Sequence, residues 1–175
     1  MKYNLFLLSL SLLLVFCSKP KEDNSVNIDD TTITLNALSD FELVSEEGFG
    51  DGYTDLDREV LAIDAEQFKD FFAIAEHSFK GESGKYDATF SSMVETDGES
   101  SYRILIDKEL VGEFQNPESE VDFELFEFNL ENISIKQGQT IRVEFNSHSN
   151  GKIPEGDGFA YSRGRWKSIS FSPVQ

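Results

Sequence analysis

The sequence predicts an all-β protein, a β-sandwich or jelly roll, on three observations. From about residue 56 onward, short stretches alternate apolar with polar residues, the period-two signature of half-buried strands. Turn residues separate these stretches at intervals of 10–20 positions. No window beyond 66–75 carries helical spacing. Sixteen Phe in 175 residues supply a hydrophobic core that a disordered acidic chain lacks. A domain of ~120 residues buries roughly two-thirds of its unfolded surface, enough to stand alone.

The elements follow in order. Residues 31–35 and 41–44 read as short strands docking on the domain, and 51–57 reads as turn chemistry, because Phe49 and Arg58 fall where an EF-hand loop needs ligands. The first clear strand is 60–66. Tyr86, Ala88 and Phe90 share one face of the next. A strand over 102–106 turns at Asp107-Lys108 and returns through 110–114. Val121, Phe123 and Leu125 alternate with acids, then the phase slips to Phe126, Phe128 and Leu130, which predicts a bulge. Lys136-Gln137-Gly138-Gln139 reads as a hairpin turn into Ile141, Val143 and Phe145, and 168–171 closes the domain.

Charge excludes one class of partner. With 33 Asp and Glu against 15 Lys and Arg the net charge is -18, so a phosphate backbone is repelled and nucleic acid is not expected. One Cys forms no internal disulfide and no Cys-based zinc or iron–sulfur site. Residues 5–16 are almost wholly apolar behind Lys2. That run is shorter than the ~20 residues of a bilayer span and fits a secretory signal. Its end, Leu14-Val15-Phe16-Cys17-Ser18, resembles the lipobox of bacterial lipoproteins. The resemblance makes 1–16 a signal peptide, Cys17 the lipidated N-terminus, and the membrane a partner through that anchor. Ser18 and the Lys-Glu-Asp cluster at 21–23 are similar to outer-membrane sorting and surface-export signals of Bacteroidetes lipoproteins. A plain solvated linker fits them equally. Between 18 and 55, ten acids accompany two Lys, so 17–55 is expected to be a flexible acidic linker and 56–175 the folded domain.

Asp64 and Glu66, two apart on the first strand, point to one face, where hard oxygen ligands suit Ca²⁺. The alternative has one in solvent and the other paired with a base. Several motifs together resemble carbohydrate-binding modules of families 6 and 35: 63–68 is similar to their opening strand, 84–90 to their glycine-led second major strand, 101–112 to their hairpin with a Leu-Val-Gly return, and 136–143 to the glycine turn of their penultimate strand. The resemblance runs over 58–172 and implies a galactose-binding-like jelly roll with a structural calcium partly held by Asp64 and Glu66. That family's late Asp has no counterpart in Trp166-Lys167-Ser168-Ile169.

The densest polar and aromatic stretch is 146–166, long for a passive connection. Sugar recognition needs an aromatic face for the ring's C–H surface and planar polar groups for its hydroxyls. Asn146, His148, Asn150, Asp157, Tyr161, Arg163, Arg165 and Trp166 supply that inventory. Two readings stand for Trp166, platform or core. Two stand for the arginines as well: they read a carboxylated or sulfated glycan, or they pair with Glu155 and Asp157. The expectation is a lipid-anchored cell-envelope module of the outer membrane, on its surface-exposed or its periplasmic face, that binds polysaccharide and catalyses nothing, alone or beside a separate glycan-degrading enzyme or outer-membrane partner. The rivals are a small lyase using His148 or His77 with Tyr and Arg, and a protein-docking lipoprotein marked by an exposed apolar patch.

Overall fold

The computed structural model describes residues 32–174. The expectations for the signal peptide, Cys17 and the linker up to residue 31 lie outside the described residues. In chain order the elements are β1 (Ile33–Asn36), a single helical turn α1 (Ala37–Asp40), β2 (Glu42–Val44), β3 (Gly52–Asp55), β4 (Val60–Ile63), β5 (Phe72–Ser78), β6 (Gly84–Met93), β7 (Ser101–Ile106), β8 (Glu109–Gln115), β9 (Leu125–Ile135), β10 (Thr140–Asn146), β11 (Pro154–Glu155), β12 (Gly158–Phe159) and β13 (Trp166–Pro173). One sheet runs β3-β4-β13-β6-β9, with β1 laid along β13. The other runs β2-β5-β10-β7-β8, and β11–β12 is a separate hairpin. All pairings are antiparallel, and the architecture is the jelly-roll sandwich that the sequence predicts.

Alternation places the core. Tyr86, Ala88 and Phe90 of β6, Tyr102, Ile104 and Ile106 of β7, and Ile141, Val143 and Phe145 of β10 are all buried. Trp166 joins them from the first sheet with no exposed surface. Phe41 meets it edge-on at 4.9 Å between ring centroids, Phe90 stacks at 5.4 Å, and Phe145 reaches it from the opposite sheet at 6.1 Å. Aromatic packing of this kind adds to plain area burial. Asp107 and Lys108 both take positive φ, 47° and 76°. Such a turn matches the twist of the flanking strands, and the Asp107 carboxylate secures it by accepting from Thr140 N–H and Gln139 Nε2.

Several expectations need correction. Residues 32–55 are part of the sandwich, so the folded domain does not begin at 56: β1 pairs with β13, β2 with β5 and β3 with β4. Leu35, Ala37 and Phe41 are buried there, while Glu42, Glu46 and Asp51 face outward. Among the described acids that suggested a linker, Glu42 lies on the solvent side of β2, and Glu46, Glu47 and Asp51 are exposed between β2 and β3. Residues 51–57 contain strand β3 as well as a turn. The first clear strand stops at Ile63, and 66–75 leads through a turn into β5 with no helix. Gly138 (φ 88°) turns the chain from one sheet to the other, since β9 pairs with β6 and β10 with β5 and β7. Residues 121–124 are loop, because Phe123 adopts φ 66° and redirects the chain before β9 begins.

Candidate functional site

Five connections converge at one pole of the sandwich: β3–β4, β4–β5, β6–β7, β8–β9 and the chain from β10 to β13. Between them lie two adjoining cavities of about 360 and 450 Å³ that share Glu155, Tyr161 and Arg163 as walls. Ala65, Glu66 and Lys69 complete the smaller lobe. Arg58, Glu95, Asp97, Asp122, Phe123 and Arg165 are among the walls of the larger.

The segment 161–165 forms the floor by strand-like alternation. Ser162 and Gly164 turn into the protein, where Ser162 N–H donates to the His148 carbonyl at 2.8 Å and Gly164 N–H to Ser100 Oγ at 3.0 Å. Tyr161, Arg163 and Arg165 turn to the cleft. Gly164 has φ 53°, and a Cβ there would stand 2.5 Å from the Asn146 carbonyl oxygen, so no other residue fits.

Phe123 is the exposed aromatic of the cleft, with 38% of its surface accessible. A left-handed backbone is uncommon for a bulky residue and is retained only where its surroundings over-determine it. Here the Phe123 N–H donates to the Val94 carbonyl at 2.7 Å, and the Asp122 carboxylate accepts from Thr96 N–H at 2.7 Å. The Arg58 guanidinium lies 3.9 Å from the ring centroid and that of Arg165 lies 5.0 Å from it.

Arg165 is buried and ties the walls together. Its Nε donates to Asp55 Oδ2 at 2.9 Å, its Nη1 donates to Glu95 Oε2, and its carbonyl accepts from Tyr102 O–H at 3.0 Å. Burial pushes the Glu95 carboxyl up to about 7 against the pull of Arg165. Burial also raises Asp55, but the Arg165 and Arg58 guanidiniums outweigh it and hold that carboxyl below its usual range. Asp97 is raised by burial, with Asp122 adding to the effect. Asp55 is thus the carboxylate the guanidiniums stabilise, while burial works against the ionised form of Glu95.

The structure separates the sequence-predicted residues. Tyr161, Arg163 and Arg165 meet in the cleft. Asn146 and Asn150 hold the loops, the first accepting from Ser101 N–H at 2.6 Å, the second donating to the Thr96 carbonyl at 3.0 Å. His148 Nδ1 lies 3.3 Å from Asp70 Oδ1 and is not a wall of either cavity. Asp157 is exposed at the tip of the β11–β12 turn. Trp166 is corrected from ligand platform to core, because strand β13 turns its indole inward between the sheets. His77 sits away from the cleft, its Nδ1 2.6 Å from the Asp40 carbonyl.

The calcium implied for Asp64 and Glu66 does not fit. Beyond Ile63 the chain turns, so the two carboxylates are not a strand pair. Asp64 caps that turn, its Oδ1 accepting from Glu66 N–H and its Oδ2 from Gln67 Nε2. Glu66 faces the smaller lobe. Among the described residues no three His, Cys, Asp or Glu side chains converge as a cation cage.

Sequence reading missed Asp55, Arg58, Lys69, Glu95, Asp97, Asp122 and Phe123, which come from four other connections. The phase slip after Leu125 was the one local sign that Phe123 was not a strand residue.

No family model matches this chain. An uncharacterised protein of Formosa agariphila is 36% identical over 117 residues, covering 65% of this chain, and the chain spans about a quarter (26%) of that protein's length. Among solved structures, a family 36 carbohydrate-binding module from a multidomain xylanase of the Trinervitermes trinervoides hindgut metagenome superimposes with a TM-score of 0.51 at 12% identity, over 82% of this chain and 98% of that one. The insecticidal crystal protein Cry2Aa gives 0.52 at 14% identity, over 81% of this chain and 21% of its own. What is shared with both is the jelly-roll fold.

Proposed function

We propose that the polar cleft binds carbohydrate without catalysing a reaction on it. The observation that carries this reading is Phe123, an aromatic ring held out in the cleft by a left-handed backbone and ringed by guanidinium and carboxylate groups. Apolar contact with a few placed polar groups is the physics of a small-ligand site. The jelly-roll likeness to a carbohydrate-binding module agrees with it.

A lyase arrangement finds no support in the geometry. His148 and His77 stand outside the cleft, and the charge of Asp70 pushes the Tyr161 phenol up, away from use as a base. Glu95 has the raised carboxyl of a general acid, but its Oε1 already accepts from Arg163 N–H and its Oε2 from Arg165. A structural role accounts for it.

The test is retardation of the purified protein in gels containing neutral or acidic polysaccharides, with Phe123→Ala as the variant. Retardation by one glycan class that disappears in the variant supports the reading. Folded protein that no polysaccharide retards sinks it. One observation favours a second reading, docking of a protein: Leu110, Val121, Leu125 and Phe126 are exposed around β8 and β9, and the outer edge of β9 pairs with no strand among the described residues. Replacing Leu125 and Phe126 by Ser would abolish that docking and leave glycan retardation unchanged. We also propose the lipid anchor at Cys17 and an envelope location. Incorporation of a labelled fatty acid, lost in Cys17→Ser, is its test.

A further inference from the structure

Resting on the glycan reading, we propose that the cleft recognises an anionic substituent of its glycan, a carboxylate or a sulfate, through the guanidinium of Arg163 and without a metal ion. The chain has five Arg, and four are saturated by carboxylates. Arg58 meets Asp55, Arg103 meets Glu113 and Glu144, Arg142 meets Glu46, Glu76 and Glu144, and Arg165 meets Asp55 and Glu95. The guanidinium of Arg163 alone makes no ion pair with a carboxylate within 4.0 Å among the described residues, in a chain where acids outnumber bases 33 to 15. In such a chain an unmatched guanidinium is the exception that asks for a ligand.

Its position is fixed. Arg163 N–H donates to Glu95 Oε1 and its carbonyl accepts from Ile63 N–H, both at 2.9 Å, while the Gly164 turn holds the next residue against Asn146. The backbone therefore aims this side chain at the junction of the two lobes. Lys69, also without a carboxylate partner among the described residues, lines the smaller lobe with its Nζ 5.3 Å from the Tyr161 ring centroid. A planar guanidinium offers the paired donors that a carboxylate or a sulfate accepts, and the neighbouring ammonium adds a second positive charge. Glu66 and Glu155 line the same lobe and form no ion pair among the described residues. They accept hydrogen bonds from the sugar hydroxyls beside the anionic group and offset part of the positive charge of Arg163 and Lys69.

The experiment measures affinity of the protein for two matched pairs, polygalacturonate against its methyl ester and a sulfated galactan against its desulfated form. Variants Arg163→Gln, Arg163→Lys and Glu155→Gln are run beside Phe123→Ala, with circular dichroism as the fold control. One acidic polymer is expected to bind and its neutralised partner to bind roughly tenfold to a hundredfold more weakly. Which pair responds tells carboxylate from sulfate. Arg163→Gln should erase the preference, Arg163→Lys should keep part of it, Glu155→Gln should strengthen it, and chelator should change nothing. Equal binding of acidic and neutral forms, lost only in Phe123→Ala, overturns this inference and leaves the glycan reading standing. Chelator-sensitive binding that Arg163→Gln does not alter overturns it as well. Absence of binding to every polymer by folded protein overturns both.

Discussion

Replacing Arg165 by Met tests the electrostatic frame of the cleft. The substitution keeps much of the apolar stem and removes the cation between Asp55 and Glu95, both of them buried. Breaking a buried ion pair from one side costs about 3–5 kcal/mol, because the remaining charge is left without a partner. The pH dependence separates this from lost packing. In the wild type Asp55 is held low, so its contribution is present at neutral pH and is lost only as the pH falls through that lowered value. In the variant Asp55 keeps only Arg58 and Glu95 only the Arg163 N–H, so both carboxyls rise relative to the wild type and the folded variant takes up protons first as the pH falls. The deficit should thus be full at pH 7.5 and shrink to about half or less near pH 4.5. Urea unfolding of both proteins at the two pH values reads it directly. A deficit that stays constant with pH would refute the argument and assign Arg165 to packing alone.

Glu95→Gln should flatten the stability profile between pH 5 and 8. Its folded carboxyl, at about 7 against an unfolded value of 4.5, contributes fully below 4.5 and loses that contribution as the pH rises through 7. At about 1.4 kcal/mol per unit the window amounts to about 3 kcal/mol, readable as a slope in thermal melts that the variant lacks. Trp166→Ala should cost about 3–5 kcal/mol and lower Tm steeply, whereas Phe123→Ala should cost about 1 kcal/mol or less and remove glycan retardation. Melts paired with gels check both halves. Gly98→Ala places a Cβ 1.9 Å from the His148 carbonyl oxygen, so the loop over the cleft must move, at about 1–3 kcal/mol by urea unfolding.

Much of the fold was legible because alternation is a local signal. Tyr86, Ala88 and Phe90 declare their shared face within five residues, and the Asp107-Lys108 turn lies between two runs that alternate on their own. The first strands were legible as the short stretches 31–35 and 41–44, but the ten acids between 22 and 55 dominate the composition and made the whole segment read as a linker. The cleft was half legible. Tyr161, Arg163 and Arg165 stand in one segment whose alternation aligns them. Phe123, Glu95, Asp55 and Lys69 join them only through topology, and nothing in their own neighbourhoods shows that four connections share a pole. Trp166 misled because its flanking arginines read as a surface strip, although it begins a buried strand.

Strand β13 also gives the molecule a mechanical direction. Its first residue, Trp166, follows the cleft segment directly, and its far end meets β1, where Thr32 Oγ and Ser172 Oγ lie 3.0 Å apart. The cleft and the start of the described chain thus lie at opposite ends of one strand, about 20 Å apart at ~3.3 Å per residue. A force between a ligand in the cleft and either end of the domain runs lengthwise along β13 and loads its ladders with β1, β4 and β6 in parallel. A force that pulls Thr32 from Ser172 instead opens the β1–β13 ladder one bond at a time. On the proposed glycan reading, a polymer held in the cleft would load the domain in its stronger direction, and prying at the β1 end would load it in its weaker one.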